Sequence, residues 1–289
     1  MHTSYLKALL FTVFGVFLMS FESWLIRLAN VSAQTVTFYF GLFMFSATFL
    51  ALLWIEKSRI KKVYTRNFKP ILLSAIFMGS SNLFFVLAIK NTSVASAVFI
   101  LSSAPLVSAL IAYILFKRKT PRRIFVASFF VFIGLFIILS DGLSAGRWEG
   151  NVYALLCVLS FSALFSVLEN YKEASRLACI GGGGLVASAL AFFTATIAIP
   201  DAHSFGVIFF MGGILTPISR ILIGIGTKVL ASVDITLLTL IETVLAPIWV
   251  WMFLHEVPAS STLFGGAIII ITLVVNAVQA HRGYTKSII

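Results

Sequence analysis

The chain has 289 residues, of which 60% are hydrophobic and only 11% charged, with a net charge of +11 and a mean hydropathy of +1.06. A water-soluble domain averages about 45–50% apolar and about 25% charged residues, and a folded sphere has too little interior to hide this excess, so a soluble globular protein is excluded. The basic residues gather in short runs between apolar stretches, without interleaved aromatics, which is the pattern of membrane-flanking connectors and excludes a nucleic-acid surface.

A membrane-spanning helix needs about 20 mostly apolar residues. Ten stretches fit: 7–28, 34–54, 70–89, 94–116, 123–140, 150–169, 177–199, 204–225, 233–254 and 261–280. They are continuous and do not alternate, which excludes β-barrel strands. Lys7 and "ALLFTVFGVFLM" resemble a leader, but no small-x-small cleavage site follows before Glu22, so the first span is expected to be retained. In that span Glu22 and Arg27 differ by about 140° around the helix and are not expected to pair. Arg27 sits at the outer end and is expected to snorkel. Glu22 lies deeper, without that escape, and is a candidate for coupling or substrate contact.

The second span offers Tyr39 as an aromatic contact for a solute. The third carries "GSSNLFF" (79–85), where Asn82 can donate and accept; cavity lining and small-residue packing are both open. In the fourth, Pro105 removes a backbone donor and frees the carbonyl of Leu101 beside Ser102 and Ser103. Cys157 and Cys179 fall in apolar stretches and offer no evidence of a disulfide framework or a metal site, which leaves the redox compartment open. "GGGG" at 181–184 follows no strand, so it opens no phosphate loop; it should loosen or closely pack the seventh span. Arg220 in the eighth is the only deep cation besides Arg27. It could take a substrate carboxylate, neutralise Glu22 or Glu242, or snorkel.

The ninth span, "LTLIETVLAPIWVW" (238–251), holds Glu242, about 13 Å into the helix and near the midplane. A charge there costs at least about 2.5–3.5 kcal/mol, so the group should face protein or water or be protonated. It is read either as a partner for a proton, a cation or a cationic solute group, or as an interhelical hydrogen-bond post. Pro247 frees the carbonyl of Thr243, and with Pro105 suggests a pair of hinges lining a cavity. Trp249 joins Tyr39 as an aromatic candidate. "HEVPA" (255–259) starts like a zinc-protease motif, but Ala259 stands where the second histidine is required. Neither an enzyme, a cofactor nor a metal is expected.

Lys57, Arg59, Lys61, Lys62, Arg66 and Lys69 crowd the second connector, and Lys117, Arg118, Lys119, Arg122 and Arg123 the fourth. Lys172 and Arg176 lie in the sixth, Arg282 and Lys286 in the tail, while the odd connectors hold far fewer. Even connectors and both termini are therefore expected in the cytoplasm.

Shifted by 138 residues, "AIKNTSVASAVFILSSAPLVSALIAYILFKR" overlays "GTKVLASVDITLLTLIETVLAPIWVWMFLHE", with Ala104-Pro105 on Glu242-Thr243 and Lys90 on Lys228. Five helices per half is odd, so the halves must cross with opposite polarity, a recurring plan of secondary transporters. The expected fold is an all-α membrane protein with ten transmembrane helices in two inverted-topology repeats, 1–145 and 146–289.

These two segments, extended through "KTP" and "VPASSTLFGGAIIIITLV", resemble the EamA-type repeats of the drug/metabolite transporter superfamily over nearly the whole chain. The family's Glu-Pro step reads Glu242-Thr243 here, and Arg118 stands in the first repeat where the second has Glu256. The resemblance implies an integral protein of a bacterial inner membrane that exports a small organic metabolite, such as an amino acid or amphiphile. Its partners would be that solute, the lipid bilayer, and a proton or counter-solute as driver. An uptake or exchange carrier for a cationic or cofactor-like solute (choline-like, S-adenosylmethionine-like) is the other reading.

Overall fold

The computed structural model describes residues 2–57, 60–116, 122–144, 148–230 and 232–286. All elements among them are helices. Eight helical stretches are long and apolar enough to cross a membrane: Leu6–Leu28, Ala33–Glu56, Phe68–Asn91, Val94–Ile111, Trp148–Asn170, Arg176–Thr194, Ala202–Gly226 and Ile235–Leu254. The expected fifth and tenth spans fall in α8 (Arg122–Ser144) and α15 (Ser260–Lys286), whose described apolar runs, Val126–Ile138 and Ser260–Val275, are shorter. Side chains on the outside, such as Leu50, Trp54, Phe129, Phe132 and Phe193, are themselves large and apolar, as a lipid-facing surface requires.

Hydroxyl side chains interrupt three of the spans. The first breaks between α1 (His2–Met19) and α2 (Glu22–Leu28), where the Ser20 hydroxyl donates to the carbonyl of Phe17 at 2.6 Å. The fourth breaks between α6 (Val94–Leu101) and α7 (Ala104–Phe116). There Ser102 and Ser103 donate to Phe99 and Ile100 carbonyls at 2.6 and 2.8 Å. The ninth breaks between α13 (Ser232–Leu238) and α14 (Leu240–Leu254), where Thr239 donates to Thr236 at 2.7 Å. A hydroxyl that takes a carbonyl competes with the backbone ladder. Pro105 sits in the first turn of α7, where its missing N–H costs little. Pro247 lies inside α14, whose helix continues through it, and the interruption of this span falls eight residues earlier, at Thr239.

The remaining long helices are α3 (Ala33–Glu56), α5 (Phe68–Asn91), α9 (Trp148–Asn170) and α10 (Arg176–Thr194), with the short α4 (Ile60–Arg66) before α5. The eighth span runs from α11 (Ala202–Phe209) through a π-turn, Phe210–Leu215, into α12 (Thr216–Gly226). Pro217 cannot donate to a carbonyl one turn back. The turn before it widens, and Thr216 N–H bonds to Met211 instead. Asp201 opens α11 by accepting from the His203 and Ser204 amides; the Ser204 hydroxyl beside it helps hold its carboxyl below the usual range.

The four-glycine run packs α10 tightly onto α3 and α5 rather than loosening it. A Cβ at Gly184 would stand 2.5 Å from the carbonyl oxygen of Gly41 and 2.9 Å from the Phe45 nitrogen, while one at Gly206 would meet nothing. Backbone cannot swing aside as a side chain can. Gly184→Ala should therefore cost about 1–3 kcal/mol, read as a lowered thermal midpoint in detergent, with Gly206→Ala unchanged.

Candidate functional site

The interruption of the first span puts Glu22 at the start of α2, 2% exposed. The π-turn delivers Thr216 and Arg220, one turn apart on α12, to the same carboxylate. Thr216 Oγ1 donates to Glu22 Oε1 at 3.0 Å, and Arg220 Nη2 lies 3.4 Å from Glu22 Oε2. The Arg220 guanidinium also sits 5.9 Å above the ring of Phe161, a cation–π contact. Its Nε is buried with no hydrogen-bond partner among the described residues.

The interruption of the ninth span puts Glu242 in the first turn of α14, 5% exposed, and no described group hydrogen-bonds its carboxylate. Asn82 on α5, also 5% exposed, has its Nδ2 unpartnered. Glu22, Glu242, Arg220 and Asn82 all line one hollow, together with Ser81, Cys157, Phe85 and Phe161. It leaves about 20 Å³ to the centre of a water-sized sphere, room for about one water molecule. Two carboxylates, one guanidinium and two unused donors thus surround a space that is nearly shut.

Wider hollows lie toward both ends of the bundle. At the basic end a vestibule of about 740 Å³ is lined by Glu56, Lys62, Arg66, Glu173, Arg176 and Lys228, among others. At the opposite end a cavity of about 490 Å³ is lined by Arg27, Lys90, Thr92, Ser93 and Glu256. Its floor is cross-linked. Arg27 Nη2 donates to the Thr92 carbonyl at 2.6 Å, Arg27 Nε stands 3.4 Å from Glu256 Oε2, and Val94 N–H donates to Glu256 Oε1 at 2.9 Å. Lys90 Nζ donates to the Ala29 carbonyl. Arg27 is therefore tied down rather than snorkelling. The Arg27 and Glu256 side chains are 25% and 28% exposed, so the pair contributes at most about 1 kcal/mol. Glu256→Ala should speed exchange of the Val94 amide by up to about fivefold, measured by hydrogen–deuterium exchange across residues 90–98.

The other residues singled out in the sequence lie elsewhere. Tyr39 packs among Phe38, Phe43 and Phe205 at ring distances of 5.2, 6.4 and 6.2 Å, away from the hollow. Trp249 pins the first interruption: its Nε1 donates to Ser20 Oγ at 2.9 Å and its ring stacks on Phe21 at 4.7 Å. Ser102 and Ser103 turn their hydroxyls back on α6, and Ser103 lines an apolar groove with Leu106, Val107 and Leu110 instead. Thr243 ties α14 to α6 through the Val98 carbonyl at 3.4 Å. Pro105 and Pro247 do not line the hollow. Thr216 and Phe161 were not singled out, Cys157 was read only as a cysteine in an apolar stretch, and Ser81 only as part of "GSSNLFF"; Thr216, four residues before Arg220, carried a signal, since that spacing shares a helix face.

An all-helical bundle with ionisable groups around a buried hollow is the architecture of membrane proteins that handle small solutes. Residues 6–140 match the EamA-like transporter family, which belongs to the drug/metabolite transporter superfamily. The chain is an integral membrane protein. A solved crystal structure of a protein 16% identical in sequence aligns with a TM-score of 0.68 over 96% of this chain and 99% of the other, which shows a shared fold. No curated protein matches the sequence.

Proposed function

We propose that the protein is a secondary active exporter of a small organic metabolite, an amino acid or similar amphiphile, working by alternating access around the Glu22–Arg220–Glu242 hollow. The observation that carries this reading is the composition of that hollow. Arg220 Nε and Asn82 Nδ2 are buried donors without hydrogen-bond partners among the described residues, suited to a carboxylate. The unpartnered Glu242 suits an ammonium group or a proton.

In this reading the chain makes ten spans in two inverted repeats, 1–145 and 146–289, with α8 and α15 closing each repeat. Two features support it. The lining comes from the first, third and fourth spans and from the sixth, eighth and ninth, which are equivalent positions in the two halves. The interruptions at Ser102–Ser103 and Thr239 also fall within two residues of each other under the 138-residue shift. In this reading both termini lie in the cytoplasm of a bacterial inner membrane, an orientation the positive connectors support, and the 740 Å³ vestibule is then cytoplasmic. The closed hollow, with its far end cross-linked, is then an outwardly sealed state. Ser102, Ser103 and Thr239 act as hinges, and proton uptake at Glu242 or a counter-solute supplies the drive.

The excess of carboxylates over guanidinium in the hollow favours a second reading, an uptake or exchange carrier for a choline-like or S-adenosylmethionine-like cation. Counterflow in proteoliposomes over a panel of amino acids, amphiphiles and cations tests both readings. Exchange of a zwitterion supports export of that class, exchange of cations alone supports the second reading, and no exchange of any solute contradicts both.

A further inference from the structure

The vestibule does not open straight onto the central hollow. Between them lies a third, small hollow that shares Arg176 and Gly224 with the vestibule and Arg220 with the central site. The rest of its wall is Thr227, Cys179 and apolar residues; it holds two arginines and no carboxylate. Arg176 stands at its mouth and is only 8% exposed.

A buried guanidinium usually meets a carboxylate. Arg176 meets none among the described residues. Its Nε donates to Thr227 Oγ1 at 2.7 Å, Nη1 to the carbonyls of Tyr171 and Ala174 at 3.1 Å each, and Nη2 to the carbonyl of Leu168 at 2.9 Å. These acceptors are neutral. The carbonyls at the end of α9 carry a partial negative charge of about half a unit, so most of the positive charge stays uncompensated. Arg176 has a structural job, tying the α9–α10 turn to the end of α12, but a neutral donor set would do that without placing a cation in a low-dielectric wall. Such walls focus a field along a cleft.

We propose that Arg176 is a specificity-determining residue: it makes the passage from vestibule to central hollow electropositive, so that solutes are admitted by an anionic group, which next meets Arg220 on the far side of the passage, where Glu22 already faces it. The group passes from the Arg176 guanidinium to that of Arg220, and a compact cation without a negative group is held back. This rests on the transport reading for its purpose, but its test needs no transport.

The chain's two cysteines report on the route: Cys179 lines the middle hollow and Cys157 the central one. Purified protein carrying Cys157→Ser would be treated with 2-sulfonatoethyl methanethiosulfonate (anionic) or 2-(trimethylammonio)ethyl methanethiosulfonate (cationic). Both convert the thiolate to a mixed disulfide and release methanesulfinate. Each rate at Cys179 is divided by that reagent's rate with 2-mercaptoethanol, and the ratio of the two normalised rates cancels any change in the thiol's own reactivity. An anion preference of about tenfold is expected, falling to near one in Arg176→Gln and by about half in Lys228→Gln. Lys228 lines the vestibule, and among the described residues its ammonium group makes no hydrogen bond or ion pair, so this second variant decides the matter if Arg176→Gln does not fold. A ratio near one in the starting protein, a ratio unmoved by both variants, or no reaction at Cys179 with either reagent would overturn the proposal. Counterflow without a charge preference at Cys179 removes this inference and leaves the transport reading standing; the reverse result does the opposite.

Discussion

A protein carrying Glu242→Gln should still exchange its solute down the solute's own gradient, while proton-driven accumulation falls to the level of empty liposomes. Glutamine keeps the shape of the side chain and loses the exchangeable proton. No described group hydrogen-bonds the Glu242 carboxylate, so the substitution breaks no bond. It should instead relieve the cost of holding an ionisable group at depth, at least about 2.5–3.5 kcal/mol when charged. The thermal midpoint is expected to stay level or rise. Parallel measurements of counterflow, gradient-driven uptake and thermal melting check the three parts together. Coupled flux equal to that of the starting protein would remove Glu242 from the coupling step.

Arg220→Met should behave in the opposite way. It leaves Glu22 buried with only Thr216 as partner, and breaking one side of a buried ion pair costs about 3–5 kcal/mol. The thermal midpoint is expected to fall sharply. Replacing both partners, Glu22→Leu with Arg220→Met, removes the stranded charge and should restore most of the stability while transport stays lost. Thermal melting of the two variants side by side reads this directly. Equal melting of the single and double variants would mean that the 3.4 Å contact between Arg220 and Glu22 contributes nothing.

The helical class and the positions of eight of the ten expected spans were legible, because continuous apolar runs of spanning length have few other uses. Glu22, Glu242, Arg220 and Asn82 stood out in the sequence for the same reason: polar groups at depth must meet one another, and the structure brings all four to one hollow. Tyr39 and Trp249 were less legible. Aromatics abound in such a chain, and nothing local separates a ring that packs on Phe205 or Ser20 from one that would face a solute. The interruption of the ninth span was also hidden. Pro247 is the conspicuous breaker, yet α14 absorbs it, and the break falls at Thr239, where a hydroxyl takes a carbonyl. Arg176 read as one more basic residue in a connector. Only the fold shows that it is buried and reaches three carbonyls and a hydroxyl of its neighbours.

Transport by alternating access requires a polar space in the middle of the bundle that each side of the membrane can reach in turn. The most direct measurement uses Cys179→Ser protein in oriented proteoliposomes, with Cys157 as the remaining thiol on the wall of that space. A membrane-impermeant thiol reagent is added to one face or the other. Labelling of Cys157 from both faces, slowed by bound solute and without leakage of a small ion across the liposomes, is the expected result. Failure to label Cys157 from either face, in protein still competent to fold, would contradict the account.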